Sequence, residues 1–470
     1  MSDGGLEPAA AACLFPGFDG TAVPDWLRPW LREGLGGVVL FARNVHDPEQ
    51  AAALCAELRA ERPGLLVATD EEGGDVTRLE ATAGSSFPGN LALGAVDDVA
   101  LTRRVAAAIG GELAGVGIDV DLAPVADVVV DPLNPIVGVR SFDSDPRLVA
   151  RHVAAFVEGV QSRGVAACAK HFPGHGETGA DSHVELPVAD ADRVTLLARA
   201  LPPFAAAVEA GVRAVMTAHI RFPALGGDPA TLSPELIGLL RDELGFEGLV
   251  LTDALEMRAI SGTVGLEEGA VRALAAGADA ICLGADRTPG DVERVHVAII
   301  AAVRSGRLPE ERLRQAAARV AETAAWTDPQ PHHDRDAGRE AARRALRVEG
   351  DARIGRDALV VECRPEATIA AGERRHGLAE LLPWADVLRV REGEHVPDAT
   401  GRQLVLVVRD AHRHGWQRAL LRPGGIVVET GYPAWQPDGA GAYVATYGAA
   451  RANLEALAES LQGGRLRRRP

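Results

Sequence analysis

The densest run of reactive side chains in this 470-residue chain is Lys170-His171-Phe172-Pro173-Gly174-His175-Gly176-Glu177-Thr178-Gly179-Ala180-Asp181-Ser182-His183. Its glycines and proline exclude a helix or a central strand, so a long loop is expected. In an extended segment Asp181 and His183 share a side. A carboxylate so placed accepts from one imidazole nitrogen, fixes the tautomer and leaves the other nitrogen to move a proton. The capping of a turn is the other use of such a pair, and His175 fits either kind of role. The histidine spacing is not that of an HExxH site, and no metal is expected. A second feature is Asp253 in Leu249-Val250-Leu251-Thr252-Asp253. A carboxylate directly after a buried strand can act as a nucleophile or stabilise a cationic centre, and it can equally cap the next helix. Asp70-Glu71-Glu72-Gly73-Gly74-Asp75-Val76-Thr77-Arg78 and Gly138-Val139-Arg140 add carboxylates and guanidiniums of the kind that bind sugar hydroxyls, or that pair with one another at a surface.

These groups share a position in a larger rhythm. Apolar runs of strand length recur at 12–15, 36–41, 65–68, 118–122, 165–169, 214–216, 248–251 and 278–283. Helix-like stretches rich in Ala, Leu, Glu and Arg lie between most of them, for example 49–62, 147–163, 195–210 and 266–276. Eight near-continuous apolar strands alternating with helices predict a (β/α)8 TIM-like barrel. Arg43-Asn44, Asp70-Glu71-Glu72, Asp127, Lys170-His171, His219 and Asp253 then all fall on the C-terminal rim, where barrel loops converge on one mouth. The barrel is expected over residues 1–326 and a polar, proline-broken linker over 327–340. A smaller C-terminal α/β sandwich domain is expected over 341–470, with strands at 358–362, 404–408, 425–429 and 442–445. No phosphate-cradling motif occurs in it.

Composition narrows the class. Hydrophobic residues make up 47% and charged residues 24%, as in a globular protein. Lys+Arg of 49 against Asp+Glu of 66 gives a net charge of −17, which argues against nucleic acid as a partner. The four arginines at 465 and 467–469 read as a solvated tail. No apolar stretch is long enough for a membrane span, and the N-terminal residues lack the basic flank and apolar core of a secretory signal. Five scattered cysteines suggest neither disulfides nor zinc, so a reducing cytoplasm is the expected location. Lys170 is the sole lysine among 49 basic residues. A compact ammonium kept where every other basic position holds a planar fork invites a specific task.

Phe41-Ala42-Arg43-Asn44, Asp70-Glu71-Glu72-Gly73-Gly74, Lys170–Gly176, Asp181-Ser182-His183 and Thr252-Asp253, in this order, resemble the β-N-acetylglucosaminidases of glycoside hydrolase family 3, the NagZ-like branch. The resemblance implies a retaining exo-β-N-acetylglucosaminidase (a β-N-acetylhexosaminidase) that removes terminal N-acetylglucosamine from peptidoglycan-derived fragments without a cofactor. It implies Asp253 as nucleophile and His183, oriented by Asp181, as acid/base. Asp70, Arg78, Arg140, Lys170 and His171 match the family positions that hold the sugar. Glu71 stands where many relatives have Gln and Asp75 where some have Arg, departures expected to alter what the pocket accepts beyond the first sugar. An alternative on the same scaffold is a phosphorylase, because a neutral imidazole base would not repel phosphate. A Schiff-base aldolase using Lys170 and a non-catalytic sugar binder are further rivals. The second suits the residues less well, since neither Asp253 nor the Asp181–His183 pair is lost.

Overall fold

The computed structural model describes residues 5–178, 185–190, 192–285, 287–398 and 400–463. The first eight strands are β1 (Leu14–Pro16), β2 (Gly37–Leu40), β3 (Leu66–Thr69), β4 (Val120–Asp121), β5 (Ala166–Phe172), β6 (Ala214–Thr217), β7 (Leu249–Thr252) and β8 (Ile281–Leu283). β2 through β7 pair in parallel in chain order, and β1 pairs in parallel with β8. A parallel bridge between Leu251 and Ala280 joins β7 to the residues leading into β8, and the Gly36 N–H bonds the Ala11 carbonyl where β2 meets β1. The sheet is thus the expected (β/α)8 barrel.

Strand periodicity sorts its residues into two layers. Phe15, Val39, Leu66, Ala68, Val120, Leu122, Ala166, Cys168, Ala214, Met216, Leu249, Leu251, Ala280 and Cys282 form one buried cluster drawn from every strand or its approach, which is the filled barrel interior. Their sequence neighbours Leu14, Val38, Val67, Ala167, Val215, Val250 and Ile281 belong to a separate cluster with the surrounding helices. Those helices start with side-chain caps that satisfy free N–H groups: Asp47 before Pro48–Glu61, Asp145 before Pro146–Gln161 and Asp192 before Arg193–Glu209.

A second six-stranded sheet follows, built from β9 (Arg347–Gly350), β10 (Leu359–Cys363), β11 (Asp386–Val390), β12 (Leu404–Val408), β13 (Ile426–Glu429) and β14 (Ala442–Ala445) in the order β11-β10-β12-β13-β14-β9. All pairs are parallel except β14 with β9. Separate buried clusters cover its two faces, one including Leu454, Leu457 and Leu461 of the helix Arg451–Leu461. β9 and β11 were not expected. Both are sheet edges, every residue of β9 is exposed, and only Val390 of β11 is buried, so neither carries an apolar run. The expected linker also differs. Residues 327–334 hold no regular element, but Arg335–Ala345 is a helix packed through Ala337, Gly338, Ala341, Ala342 and Ala345. Small residues on one face of a charged helix left no apolar signal to read. The arginine tail at 465–470 lies outside the described residues.

The second sheet meets the rim loops of the barrel. Asp75 pairs with Arg409 just past β12 at 2.6 Å and accepts from the Ala449 N–H at 3.0 Å. Arg78 donates to the Ala370 carbonyl at 3.1 Å, Arg451 pairs with Glu80 at 2.8 Å, and a His412 ring nitrogen lies 2.7 Å from the Pro132 carbonyl. Asp75 therefore makes contact between the two sheets, its side chain packed against Arg409. Replacing Asp75 by Ala leaves the Arg409 guanidinium, 21% exposed, with Asp410 at 3.7 Å as its nearest carboxylate, and is expected to cost about 2 kcal/mol in denaturant unfolding. Adding Arg409→Leu should restore much of that loss.

Candidate active site

Three of the expected site residues follow from strand phase alone. Leu66 and Ala68 point into the barrel, so Asp70 does too; Ala166 and Cys168 are followed in the same way by Lys170, and Leu249 and Leu251 by Asp253. These form the top layer of the interior, where the apolar filling ends and the rim loops begin.

Around Lys170 the charges alternate. Its Nζ lies 2.6 Å from Asp70 Oδ1 and 2.7 Å from Glu72 Oε1, with the residue only 1% exposed. Arg78 reaches the other oxygen of Asp70 at 3.2 Å. Arg140 grips Glu72 with two parallel bonds, Nη2 to Oε1 at 2.7 Å and Nε to Oε2 at 2.9 Å. Burial by itself would raise the carboxyl pKa of Asp70, but Lys170 and Arg78 hold it well below the ordinary range. Burial acts likewise on Glu72, and Arg140 with Lys170 brings it down to about 2. For the ammonium, burial pulls the other way and the two carboxylates outweigh it, so its pKa is raised. Lys170 and Arg140 thus remain ionised at neutral pH together with the carboxylates of Asp70 and Glu72, in a cluster of alternating charge that the Arg78 guanidinium extends. The single lysine has its task here, because a point charge fits between two carboxylates where a planar fork would not.

His171 is set by Asp127. The β5–β6 register slips between Ala169 and Phe172, and this irregularity carries Lys170 and His171. Asp127, fully buried, meets His171 Nδ1 at 2.7 Å through Oδ2. Its Oδ1 accepts the His171 N–H at 3.2 Å and the His175 N–H at 2.7 Å. Burial opposes ionisation of Asp127, and His171 more than offsets it, leaving a lowered pKa. The ring is thereby held with Nε2 directed away from Asp127. His175 is buried and bonded to Thr178 Oγ1 through Nδ1 at 2.9 Å; burial brings its pKa to about 4, so the ring is neutral at neutral pH.

Asp253 does not cap a helix. The next one is Arg258–Ser261, with Met257 in the cap position. The Asp253 N–H bonds the Thr217 carbonyl at 3.2 Å, and its Oδ1 accepts from the Ala254 N–H at 2.7 Å. Buried His219 braces this turn: one ring nitrogen lies 3.0 Å from the Ala254 carbonyl and the other 2.7 Å from Thr231 Oγ1. Asn44 is a clasp inside its loop, donating to the Phe18 and Gly20 carbonyls and accepting from the Phe41 N–H. Asp181 and His183 lie outside the described residues. Asp70, Arg78, Arg140 and Lys170 are joined through ion pairs, His171 follows Lys170, and Asp253 directly follows β7 at the same end of the barrel. Glu72 and Asp127 are the members that residue-by-residue reading passed over as site residues. For Glu72 a signal was available: in an extended Asp70-Glu71-Glu72, residues 70 and 72 share a side and 71 does not.

Glu71 accordingly points elsewhere, its Oε2 accepting from the N–H groups of Arg78 at 2.9 Å and Leu79 at 3.1 Å. Burial pushes its carboxyl from 4.5 up to about 7, with Thr77 and the two backbone donors opposing and Glu80 adding repulsion. Below pH 4.5 both folded and unfolded chains are protonated here, and the group is neutral to stability. Between 4.5 and 7 only the unfolded chain ionises, so the fold loses stability, and above 7 that loss is complete. Glu71→Gln keeps an acceptor for both N–H groups. At pH 8 it should unfold later than the parent chain by about 2–3 kcal/mol, an advantage that vanishes by about pH 4.5 in thermal melts across that range.

A parallel barrel with a carboxylate directly after β7 and a buried cluster of alternating charge past the ends of β3 and β5 is a build that glycoside hydrolases share. The chain belongs to glycosyl hydrolase family 3, whose N-terminal domain matches residues 17–323. Beta-hexosaminidase A of Pseudoalteromonas piscicida is 37% identical over 330 residues, 64% of this chain and 55% of that protein. The chain therefore spans little more than half of that relative's length. A beta-hexosaminidase of Thiobacillus denitrificans is 40% identical over 272 residues, 55% of this chain and 74% of that protein. Among solved structures, a glycoside hydrolase family 3 beta-N-acetylglucosaminidase from a Paenibacillus species superposes with a TM-score of 0.88 at 34% identity, covering 98% of this chain and 97% of that one.

Proposed function

We propose that the chain is a retaining exo-β-N-acetylglucosaminidase acting on terminal β-linked N-acetylglucosamine in peptidoglycan-derived saccharides. The observation that carries this reading is strand phase: Asp253 follows Leu249 and Leu251 on the inner side of the barrel as Lys170 follows Ala166 and Cys168 and Asp70 follows Leu66 and Ala68, with Lys170 and Asp70 paired at 2.6 Å. The names of the relatives point the same way. Asp70 keeps lone pairs for sugar hydroxyls after accepting from Lys170 and Arg78. Arg78, Arg140, Lys170 and His171 supply donors to hydroxyl and acetamido oxygens.

Asp253 attacks the anomeric carbon, forming a glycosyl-enzyme ester as the glycosidic C–O bond breaks. His183, in its imidazolium form and held by Asp181, gives its proton to the departing oxygen. The neutral imidazole then takes a proton from water as that water's oxygen displaces Asp253. An imidazole here takes the place of the second carboxyl usual in retaining glycosidases. A cytoplasmic location suits five buried cysteines that form no disulfide.

Asp253→Ala is expected to lower turnover of an aryl N-acetyl-β-glucosaminide about a thousandfold or more, since this substrate needs a nucleophile whatever its leaving group. Undiminished turnover in that variant would overturn the assignment. Product analysis of the parent enzyme in concentrated phosphate should show free N-acetylglucosamine; accumulation of its 1-phosphate would replace hydrolysis with phosphorolysis.

A further inference from the structure

The two parallel sheets face each other through the carboxyl ends of their strands, the end at which ligand-contacting loops gather in such sheets. The loops after β10, β12 and β14 meet those after β3 and β4. The loop after β10, residues 364–377, reaches the charge cluster itself. Its Ala370 carbonyl accepts from Arg78 Nη1 at 3.1 Å, while Arg78 Nη2 holds Asp70 Oδ2 at 3.2 Å. One guanidinium, its side chain 12% exposed, thus spans the barrel and the second sheet. A single bond to Asp70 would leave that guanidinium free to turn about the contact. A second bond, from the other terminal nitrogen, fixes its plane.

The carbonyl belongs to a closed turn. The Gly372 N–H bonds the Thr368 carbonyl at 2.9 Å, and the Ala371 N–H donates to Thr368 Oγ1 at 3.3 Å. Gly372 sits at φ 69°, a conformation that favours glycine. The rest of the loop is braced on both sides. Arg364 donates to the carbonyls of Arg374 at 3.1 Å and His376 at 2.9 Å. A ring nitrogen of His376 lies 2.9 Å from the Ala449 carbonyl, and a Cβ on Gly84 of the barrel would lie 2.5 Å from that ring. At the other end of the cluster, Tyr447 and Gly448 share a small cavity with Glu72, Asn90 and Arg140.

We propose that the turn at 368–372 is a positioning element of the sugar site, its Ala370 carbonyl fixing the plane in which Arg78 meets the substrate. This rests on the reading of Arg78 as a residue that holds the sugar. The second sheet then takes part in substrate binding without touching the substrate. Misplacing a substrate-holding group by about 1 Å can cost on the order of a hundredfold in rate, and a tilt that keeps the Asp70 bond should cost less.

The test is a double-mutant cycle read as kcat/KM for 4-nitrophenyl N-acetyl-β-glucosaminide. Gly372→Pro removes the N–H that closes the turn and cannot adopt the left-handed φ, at a position with open space around it. Deletion of residues 369–371 removes the carbonyl itself. Each change is expected to lower kcat/KM about tenfold in the parent chain, but less than about twofold when Arg78→Ala is already present. Loss of folded protein lowers the rate in both backgrounds, so destabilisation cannot make the second effect vanish. Equal losses in the two backgrounds, or turn variants within about twofold of the parent, would overturn the inference. If Arg78→Ala turns over the substrate as well as the parent chain does, or the parent does not turn it over, the reading of Arg78 falls and the inference with it.

Discussion

The ammonium of Lys170 held between the carboxylates of Asp70 and Glu72 is the interaction on which the site depends. Buried separately, any of these charges would cost several kcal/mol. Together, and extended by Arg78 on one side and Arg140 on the other, each charge has an opposite neighbour within hydrogen-bond distance. Such a network is rigid because no member can move without exposing another. Rigidity of this kind holds donors and acceptors in fixed directions. It also joins the loops after β3, β4 and β5, so three separate strand ends present one surface.

The loop after β3 divides its acidic residues among three duties. Asp70 and Glu72 face the ammonium, Glu71 takes backbone N–H groups beneath the rim, and Asp75 reaches the second sheet. Gly73 and Gly74, at φ of 71° and 66°, provide the left-handed turn that separates these directions. One short segment therefore links the charge cluster around Lys170 to Arg409 and Ala449. The loop after β4 makes a parallel link, with Pro132 against His412 and Asn134 against the loop after β5. The second sheet is thus coupled to the mouth of the barrel through backbone carbonyls and the ion pairs Asp75–Arg409 and Glu80–Arg451.

Packing explains how the same strands serve both stability and chemistry. Small side chains at Ala68, Ala166, Ala214 and Ala280 leave room for Phe15 and Met216, and the interior is filled. Polar groups then have only the top layer available. Cys168 and Cys282, buried in this interior, are packing residues, and burial pushes both thiols upward and away from reactivity.

The eight barrel strands and four of the six in the second sheet were legible in the sequence because a strand covered on both faces must be apolar along its length. So was the phase that turns Asp70, Lys170 and Asp253 inward, since side chains alternate strictly along a strand. The edge strands β9 and β11 and the alanine-faced helix Arg335–Ala345 were not, because solvent or small-residue contacts satisfied them without an apolar signature. Which carboxylate meets which cation was decided only by tertiary structure. Glu71 and Glu72 are adjacent and chemically alike, yet one lies beneath the rim with a raised pKa and the other pairs with Lys170 and Arg140. Asn134 and Asp127 find their hydrogen-bond partners only when loops from different strands are brought together. Residue type and local period determine what a side chain can do and which way it points; the partner that determines its charge and orientation is supplied by chain closure over 40 to 100 residues.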